Sequence, residues 1–333
     1  MPLPLTEQVL RRLAEASARP VSGEELARSL GVTRSAVWKA VEGLRRAGYS
    51  VVSLPGRGYR LEPERRGVRP GEVLAHLGTR WLGRAVRYFE SVDSTNRQAD
   101  RWAEAGAPEG ALVVADRQVR GRGRRNRSWY AHPGGSLLLS LVLRPQAPAA
   151  QVPLLTYAAA AALAEALARW VEESAIAIKW PNDVLLGGRK AAGILLEMRT
   201  EGALPAHVVV GVGVNVQVPS RAFPPELTTS ATSVSDWCTP PGPDRLDVLC
   251  AFLERFEDLY EAFGRDGFAP VRAAWERWFR HRRQPVRIHA PSGLLEGRAL
   301  GLDADGAFLV ERSDGSRARV VAGDLELAST REP

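Results

Sequence analysis

The 333-residue chain is 45% hydrophobic and 25% charged, which is enough to bury a core and to form two or three domains. No apolar stretch approaches the length of a membrane span, and the first residues lack the basic and apolar regions of a signal peptide, so we expect a cytoplasmic protein without a membrane anchor. The two cysteines and five histidines lack the spacing of a disulfide framework or of metal ligands, so the sequence predicts no metal site.

The net charge of +7 is concentrated at the amino-terminal end. Residues 1–66 hold 12 Lys and Arg against 7 Asp and Glu, a net of +5, so residues 67–333 carry only +2. A small basic module joined to a nearly neutral body is typical of a protein that binds a polyanion at one end.

The first predicted module contains three helices. Apolar residues recur on one helix face over residues 6–16, and Ser22-Gly23-Glu24-Glu25 has the pattern of a capping box at the start of a second helix. Gly31 breaks the chain, Thr33 can cap a third helix, and Gly48 ends it. Two short helices joined by a glycine turn are typical of a helix-turn-helix.

The third helix and the segment after it carry donors suited to phosphates and base edges. Residues 49–61 have the pattern of a hairpin with Arg57 at its tip, which predicts a winged helix-turn-helix. The local positive charge favours DNA as the ligand, and a winged helix that binds protein is the alternative. Arg45 is predicted to face outward, and residues 63–70 are predicted to form a polar linker. The residues predicted to bind DNA are Thr33, Arg34, Ser35, Lys39 and Arg57.

Two hydroxyl residues stand at a predicted junction between a strand and a helix. The strand is predicted over residues 86–90 and the helix over 97–105, with Ser94 and Thr95 between them. Hydroxyls at a helix start commonly cap the helix, and this segment alone favours that role. The alternative is that the junction directs amides and hydroxyls at a ligand.

The segment from Gln118 to Trp129 combines glycine with arginine. Five arginines occupy the eight residues 120–127, around Gly121 and Gly123. Glycine lets the backbone approach a ligand closely, and guanidinium forks bind carboxylate or phosphate. Because strands are predicted on both sides, an ordered anion-binding loop is favoured over a disordered nucleic-acid tail.

Lysine is rare in this chain. Only Lys39, Lys179 and Lys190 are lysines among the 45 basic residues. The last two lie close together, where a planar guanidinium would present a different geometry from a compact ammonium. This contrast indicates a chemical requirement, and chance retention in a solvated hairpin turn is an equally weighted alternative.

Closely spaced strands dominate the middle of the chain. The pattern predicts three strands, an Ala-rich helix and a hairpin that turns at Gly187-Gly188. The predicted ranges are 134–143, 154–171, 176–180, 184–198 and 207–218. Strands joined by hairpins favour a largely antiparallel or mixed sheet with helices on one side. No dinucleotide-binding glycine fingerprint and no Walker loop occur.

The last third of the chain changes from helices to short strands. Amphipathic helices are predicted over 244–263 and 268–280, and their aromatic stripes are expected in the core. From Pro285 onward, strands alternate with turns, which predicts a small β-barrel or sandwich of about fifty residues. The chain is therefore predicted to be an α+β multidomain protein. Its predicted domains are 1–66 (DNA-binding), 67–283 (ligand-binding) and 284–333 (β module).

Five motifs in this order resemble the bifunctional biotin protein ligase and biotin operon repressor family, over residues 6–327. They are Asp93-Ser94-Thr95-Asn96, Gly121-Arg122-Gly123-Arg124-Arg125, Lys179-Trp180-Pro181-Asn182-Asp183, Arg189-Lys190-Ala191-Ala192-Gly193 and Gly211-Val212-Gly213-Val214-Asn215. The resemblance implies a class II synthetase-like central domain and an SH3-like C-terminal β-barrel. It implies an enzyme that condenses biotin with ATP, with Mg²⁺, and transfers biotin from the adenylate to a biotin carboxyl carrier protein. It also implies a repressor that binds operator DNA as a homodimer when biotinyl-adenylate is bound.

The resemblance also assigns roles to residues. Lys190, Arg122 and Arg124 would be catalytic, because fixed cations lower the barrier when a carboxylate attacks a phosphate. Lys190 is expected to be protonated and to act as an electrostatic stabiliser rather than as a base. Asn126 stands where the family often has glycine, and asparagine also tolerates left-handed backbone angles. The implied biotin-binding residues are Ser94, Thr95, Asn96, Gln118, Gly121, Arg122, Gly123, Arg124, Trp129, Lys190 and Gly193. The implied adenylate-binding residues are Asn182 and Asn215.

Two alternatives stay open at this point. A lipoate-type ligase with a regulatory head would share the fold, although the arginine and glycine loop with Trp129 suits biotin. A repressor that only senses a ligand would release no pyrophosphate from ATP.

Overall fold

The computed structural model describes residues 5–16, 19–46, 49, 51–61, 67–201 and 204–327. The chain forms two compact units, Met1–Gly67 and Val68–Pro333. Gly48 and residues 63–66 of the predicted linker lie outside the described residues. None of the described helices is long and apolar enough to cross a bilayer.

The first unit is the predicted winged helix-turn-helix. Its elements are α1 (Leu5–Glu15), α2 (Gly23–Leu30), α3 (Arg34–Arg46), β1 (Val51–Leu54) and β2 (Gly58–Leu61). The two strands pair antiparallel, and Arg57 lies in the turn between them, as predicted. The helices and the hairpin bury a common apolar core formed by Val9, Leu13, Val21, Leu26, Ala27, Val37, Ala40, Val41, Leu44 and Val51.

The helix ends of this unit follow the predicted capping in most respects. The Ser22 hydroxyl accepts the Glu25 amide at 3.0 Å, and Gly31 ends α2 with a φ of 64°. The Thr33 hydroxyl accepts a backbone amide of α3 at 3.2 Å. The capping box is only half formed, because the Glu25 carboxylate forms an ion pair with Arg19 at 3.0 Å instead.

Arg45 ties α3 to the hairpin, so the prediction that it faces outward is wrong. Its Nε donates to the Val51 carbonyl at 2.8 Å, and its Nη2 donates to the Ser53 hydroxyl at 2.8 Å. Its Nη1 pairs with Glu42 at 2.6 Å. The contacts with Val51 and Ser53 fix the hairpin against the helix, and the pair with Glu42 lies within α3.

A seven-stranded mixed sheet forms the centre of the second unit. Its strands are β3 (Val86–Val92), β4 (Leu112–Gln118), β5 (Ser136–Leu143), β6 (Ile176–Lys179), β7 (Asp183–Leu186), β8 (Arg189–Glu201) and β9 (Leu204–Asn215). They lie in the order β3-β4-β5-β9-β8-β7-β6. Among the described strands of this sheet, only β3 and β4 pair in parallel.

Helices cover both faces of this sheet, so the prediction of helices on one side is wrong. They are α4 (Pro70–His76), α5 (Thr95–Glu104), α6 (Leu155–Leu167), α7 (Arg245–Asp266) and α8 (Phe268–Trp278). The nearly fully buried α6 packs with α7 and α8 in the main core. Because strand side chains alternate, Leu112 and Val114 face that core, whereas Val113 faces Ala99 and Ala103 of α5. Helix α5 therefore covers the opposite face.

The C-terminal strands form an antiparallel sheet that shares the main core. They are β10 (Pro285–Ala290), β11 (Gly293–Leu302), β12 (Phe308–Glu311), β13 (Arg317–Val320) and β14 (Asp324–Leu327), in the order β13-β12-β11-β10-β14. The Trp180 ring, at the end of β6, stacks on Phe308 with 5.1 Å between centroids. Its indole donates to the Tyr157 hydroxyl, which donates in turn to the Gly306 carbonyl. Burial raises the pKa of Tyr157 to about 12, so this hydroxyl keeps its proton.

Candidate functional site

A cavity of about 630 Å³ opens on the α5 face of the central sheet. Alternation along β9 places Val212 and Val214 in the main core, so Gly211 and Gly213, which alternate with them, face the cavity. The loop around residues 122–130, the segment 223–231 and strand β14 complete its walls. All of these belong to the second unit.

Hydroxyl and amide groups line one end of the cavity, where β3 ends and α5 begins. The Thr95 amide and hydroxyl both donate to Gln118 Oε1, at 2.7 and 3.0 Å. Ser140 Oγ lies 2.8 Å from Thr95 Oγ1. Ser94 is the residue before α5, but no side-chain capping hydrogen bond forms there. The capping role that the segment alone favoured is therefore wrong, and Ser94 and Thr95 line the cavity.

Glu197 of β8 joins two of the predicted site residues. Asn96 Nδ2 donates to Glu197 Oε2 at 2.8 Å, and Arg122 pairs with Glu197 Oε1 at 2.8 Å. Asn96 Oδ1 lies 2.6 Å from Ser140 Oγ, so protein groups engage both ends of the amide. A Cβ at Gly211 would lie only 2.0 Å from Asn96 Oδ1, so this arrangement requires glycine at that position. Asn96 therefore positions its neighbours.

A pair of glycines forms the floor of the cavity beneath Trp129. Gly193 of β8 and Gly213 of β9 are direct cross-strand neighbours. A Cβ at Gly213 would lie 2.6 to 2.8 Å from the Trp129 ring, and one at Gly193 would lie 3.2 Å from it. Trp129 Nε1 is buried without a hydrogen-bond partner among the described residues. The floor is flat because two side chains are missing, and a large planar ring lies directly on it.

The Lys190 ammonium lies at the middle of the cavity. Its Nζ pairs with Asp183 Oδ1 at 2.6 Å and lies 5.5 Å from the centre of the Trp129 ring. The backbone of Lys190 pairs with the segment 230–232 through hydrogen bonds of 2.8 and 3.0 Å. Lys190 is thus held by a carboxylate, an aromatic ring and a neighbouring chain segment.

The arginine-rich loop is fastened to the C-terminal sheet by Asp324 of β14. Arg124 and Arg127 pair with the two Asp324 oxygens at 3.1 and 2.7 Å, and Arg125 approaches within 3.4 Å. Burial lowers the pKa of Arg124, and the nearby Asp324 carboxylate opposes that shift. Asn126 has a φ of 60°, in the left-handed region that asparagine tolerates. These contacts hold the loop against the C-terminal sheet.

The two predicted adenylate-binding asparagines also hold the backbone together. Asn182 Nδ2 donates to the Ile194 carbonyl at 2.7 Å, and its Oδ1 accepts from Arg124 at 3.3 Å. Asn215 Nδ2 donates to the Thr232 carbonyl at 3.2 Å. Its Oδ1 is buried and has no partner among the described residues. Asn215 thus offers one free acceptor beside the segment 223–231.

The structure gathers the predicted site residues around one cavity, with one exception. Gly121 does not line it, because its role is to let the Trp129 carbonyl approach and close the loop. The reasoning from sequence missed several residues that the geometry brings in. They are Ser140, Asp183, Glu197 and Asp324. Asp183 stood inside a recognised motif, whereas nothing in the local sequence singled out the other three.

The exposed face of α3 carries predicted DNA-binding residues together with an exposed tryptophan. Arg34, Ser35 and Lys39 are exposed, as is Arg57 in the turn of the hairpin. Trp38 lies between them with 54% of its surface exposed. Its indole has no hydrogen bond or ring contact among the described residues.

Three parts of the chain match known families. Residues 88–215 match the Biotin/lipoate A/B protein ligase family, residues 6–60 match an HTH domain, and residues 284–327 match the Biotin protein ligase C terminal domain. The ranges follow the cavity, the winged helix and the C-terminal sheet described above.

Full-length relatives and solved structures give the same picture. The chain is 36% identical to the bifunctional ligase/repressor BirA of Bacillus spizizenii over 97% of this chain and 98% of that one. It is 31% identical to that of Escherichia coli over 92% and 93%. The biotin protein ligase of Aquifex aeolicus, solved with biotin and ATP, matches with a TM-score of 0.61 and 28% identity, covering 73% of this chain and 98% of the other.

Proposed function

The chain belongs to the family of bifunctional biotin protein ligases and repressors, and we infer that its cavity is where biotin is joined to ATP. The protein is an ATP-dependent biotin ligase that forms biotinyl-5′-adenylate and transfers biotin to a carrier protein. Its amino-terminal unit makes it also a biotin-responsive repressor that binds DNA.

The first step joins two anions. A biotin carboxylate oxygen attacks the α-phosphorus of ATP, the bond to the β-phosphate oxygen breaks, and pyrophosphate leaves with the electron pair. Because negative charge gathers at the α-phosphate, preorganised cations lower the barrier. Lys190 is the cation at the middle of the cavity, and Arg124 lies on the covering loop. Both act as charge stabilisers.

The second step needs no further nucleotide. The uncharged amine of a carrier lysine attacks the acyl carbon of the adenylate, AMP leaves with the electron pair, and the nitrogen loses a proton to water. The loop that covers the cavity keeps water from the mixed anhydride until the carrier arrives. Its three contacts with Asp324 supply the restraint.

The substrates are placed by the chemistry of the walls. The biotin ureido group is assigned to Ser94, Thr95 and Gln118, where hydroxyl and amide groups lie side by side. Its fused rings are assigned to the part of the cavity beside the Trp129 ring, which itself covers Gly193 and Gly213. The adenosine is assigned to the free acceptor of Asn215 and the adjoining segment 223–231.

Mg²⁺ is proposed to enter with the triphosphate. Within the described ranges there is no cluster of three or more His, Cys, Asp or Glu that could hold a metal. Asp183 and Asp324, which line the cavity, are already engaged by Lys190 and by arginines. The residues therefore do not form a metal site of their own, and phosphate oxygens and water would be the ligands.

The observation that carries the ligase assignment is the Lys190–Asp183 pair beside an anion-binding loop over a flat floor. The test is pyrophosphate release on adding biotin, ATP and Mg²⁺, followed by labelling of a biotin carrier domain. Replacing biotin with lipoate in a parallel reaction should give neither product. Release with lipoate alone would reassign the substrate, and no release with either would leave only a ligand-sensing repressor.

The repressor function is proposed to require a homodimer that forms when the adenylate is bound. One winged helix offers few phosphate contacts at physiological salt, and a dimer doubles them. The residues proposed to contact DNA are Thr33, Arg34, Ser35, Trp38, Lys39 and Arg57. Sedimentation and mobility-shift titrations with and without both substrates test this. If the unliganded protein binds the operator as tightly as the protein with both substrates, the requirement for an adenylate-bound dimer is rejected and the ligase assignment is unaffected.

A further inference from the structure

Four residues form a straight row across the cavity face of the sheet. Lys179 of β6 pairs with Asp183 of β7, Asp183 with Gly193 of β8, and Gly193 with Gly213 of β9. Direct cross-strand partners point to the same face, and neighbouring strands lie about 4.8 Å apart. The row therefore spans roughly 14 Å, from the floor under Trp129 to the edge strand.

The chemistry changes in order along this row. Gly213 and Gly193 form the floor, Asp183 holds the Lys190 ammonium at 2.6 Å, and Lys179 stands at the far end. When biotin lies beside the Trp129 ring that covers the glycines, with its carboxylate at Lys190, the phosphates of ATP are directed outward along the row. The β- and γ-phosphates would then arrive at Lys179.

Lys179 differs from the other cations that line the cavity. Arg122 pairs with Glu197, Lys190 with Asp183, and both Arg124 and Arg127 with Asp324. Lys179 has no ion pair or hydrogen bond of its side chain among the described residues, although Asp183 is its direct cross-strand neighbour. The half-buried Lys179 side chain therefore brings to the cavity a positive charge that is not held in an ion pair among the described residues.

We propose that Lys179 is a catalytic residue that binds the β- and γ-phosphates of ATP and stabilises the departing pyrophosphate. This rests on the two-step reaction proposed above. The charge on the β-phosphate oxygen grows as its bond to the α-phosphorus breaks, so an ammonium at that end acts on the leaving group. It has no part in the second step, in which AMP leaves and pyrophosphate is already gone.

The reaction run backwards isolates this role. Purified biotinyl-adenylate and inorganic pyrophosphate are supplied, and ATP formation is measured for wild type, Lys179→Gln and Lys179→Arg. We expect Lys179→Gln to raise the KM for pyrophosphate by about 10- to 100-fold, the scale of one hydrogen bond to a charged group. Lys179→Arg should recover most of this loss because the charge remains.

The transfer step and a control variant make the test specific. Transfer of biotin from supplied adenylate to the carrier should stay within about twofold of wild type in Lys179→Gln, since a change that small is near zero in free energy. Arg280→Gln removes an exposed positive charge near the start of β6, where Arg280 contacts the Glu173 carbonyl outside the cavity, and should change neither reaction.

The outcomes separate this inference from the ligase assignment. An unchanged KM for pyrophosphate in Lys179→Gln, or an equal loss in the transfer step, would overturn the role of Lys179. Absence of ATP formation by the wild type would overturn the ligase assignment itself. If the melting temperature of Lys179→Gln lies far below that of the wild type, Lys179→Met takes its place and is compared with Lys179→Arg.

Discussion

The Lys190 side chain concentrates the chemistry of the first step in one ammonium group. A single carboxylate and a single indole hold it, and no other described cation lies on the glycine floor. We expect Lys190→Ala to lower adenylate formation by about 10²- to 10³-fold, the scale for removing one preorganised charge donor. Circular dichroism should show an unchanged fold. Near-normal pyrophosphate release would remove Lys190 from the mechanism.

The glycine floor makes a second residue testable. A methyl group at Gly213 would come within 2.8 Å of the Trp129 ring, and overpacking of this kind costs about 1–3 kcal/mol. We expect Gly213→Ala to raise the KM for biotin by about 5- to 100-fold, with a smaller change for ATP.

Gly264→Ala serves as the matched control. Gly264 lies on α7 with nothing within 4 Å of an added Cβ, so the helix should be stabilised and the KM for biotin unchanged. Equal KM values for biotin in Gly213→Ala and Gly264→Ala would show that biotin binding does not depend on the close approach of the Trp129 ring to Gly213.

Sequence reasoning succeeds for single residues when the signal is local. The Lys190 and Arg124 motifs pointed to the cavity, and Asn126 does adopt a left-handed angle. The capping role of Thr95 failed because its partners Gln118 and Ser140 lie 23 and 45 residues further along the chain. Nothing near Thr95 indicates that its hydroxyl is used elsewhere.

At the scale of elements, the contact between the arginine loop and β14 is the most informative. Asp324 is the one carboxylate in the described chain that pairs with three loop guanidiniums. Asp324→Asn removes that charge, so we expect the loop to open more often and the adenylate to escape. Labelling of an unrelated lysine-rich protein should rise several-fold, together with proteolysis within residues 120–127.

Asp314→Asn supplies the comparison for that experiment. Asp314 lies in an exposed turn of the same C-terminal sheet and bonds only to Ser316 among the described residues. Loss of the Asp314 carboxylate should leave both the labelling of the lysine-rich protein and the proteolysis within residues 120–127 at the wild-type level. If Asp324→Asn labels no more than Asp314→Asn, the loop is held by something other than this carboxylate.

Element types could be predicted from the sequence, but their arrangement could not. The hairpin at Gly187-Gly188 and the two long helices near residues 245–278 follow from period and turn residues. The place of α5 on the opposite face depends on strand order, which puts β9 between β5 and β8. The periodicity of apolar residues along the chain carries no information about that strand order. The contact of Arg124 with Asp324, 200 residues apart, is likewise beyond local reasoning.

For the whole molecule, the division into two units predicts that its two activities separate. Every residue that lines the cavity belongs to the second unit. Deleting residues 1–67 should abolish operator binding and leave carrier biotinylation within about threefold of wild type, a difference below 1 kcal/mol. A well-folded truncation that binds no biotin would show that the first unit helps to build the site.

The shared core of the C-terminal strands has a calorimetric consequence. Val286, Ile288 and Phe308 lie in the same apolar cluster as α6 and β6, so these strands cannot melt without exposing the centre of the second unit. Three domains are predicted from the sequence, but heating should reveal two cooperative transitions. Since unfolding heat scales with residue number, at about 0.7 kcal/mol per residue, the larger endotherm should carry roughly four times the heat of the smaller.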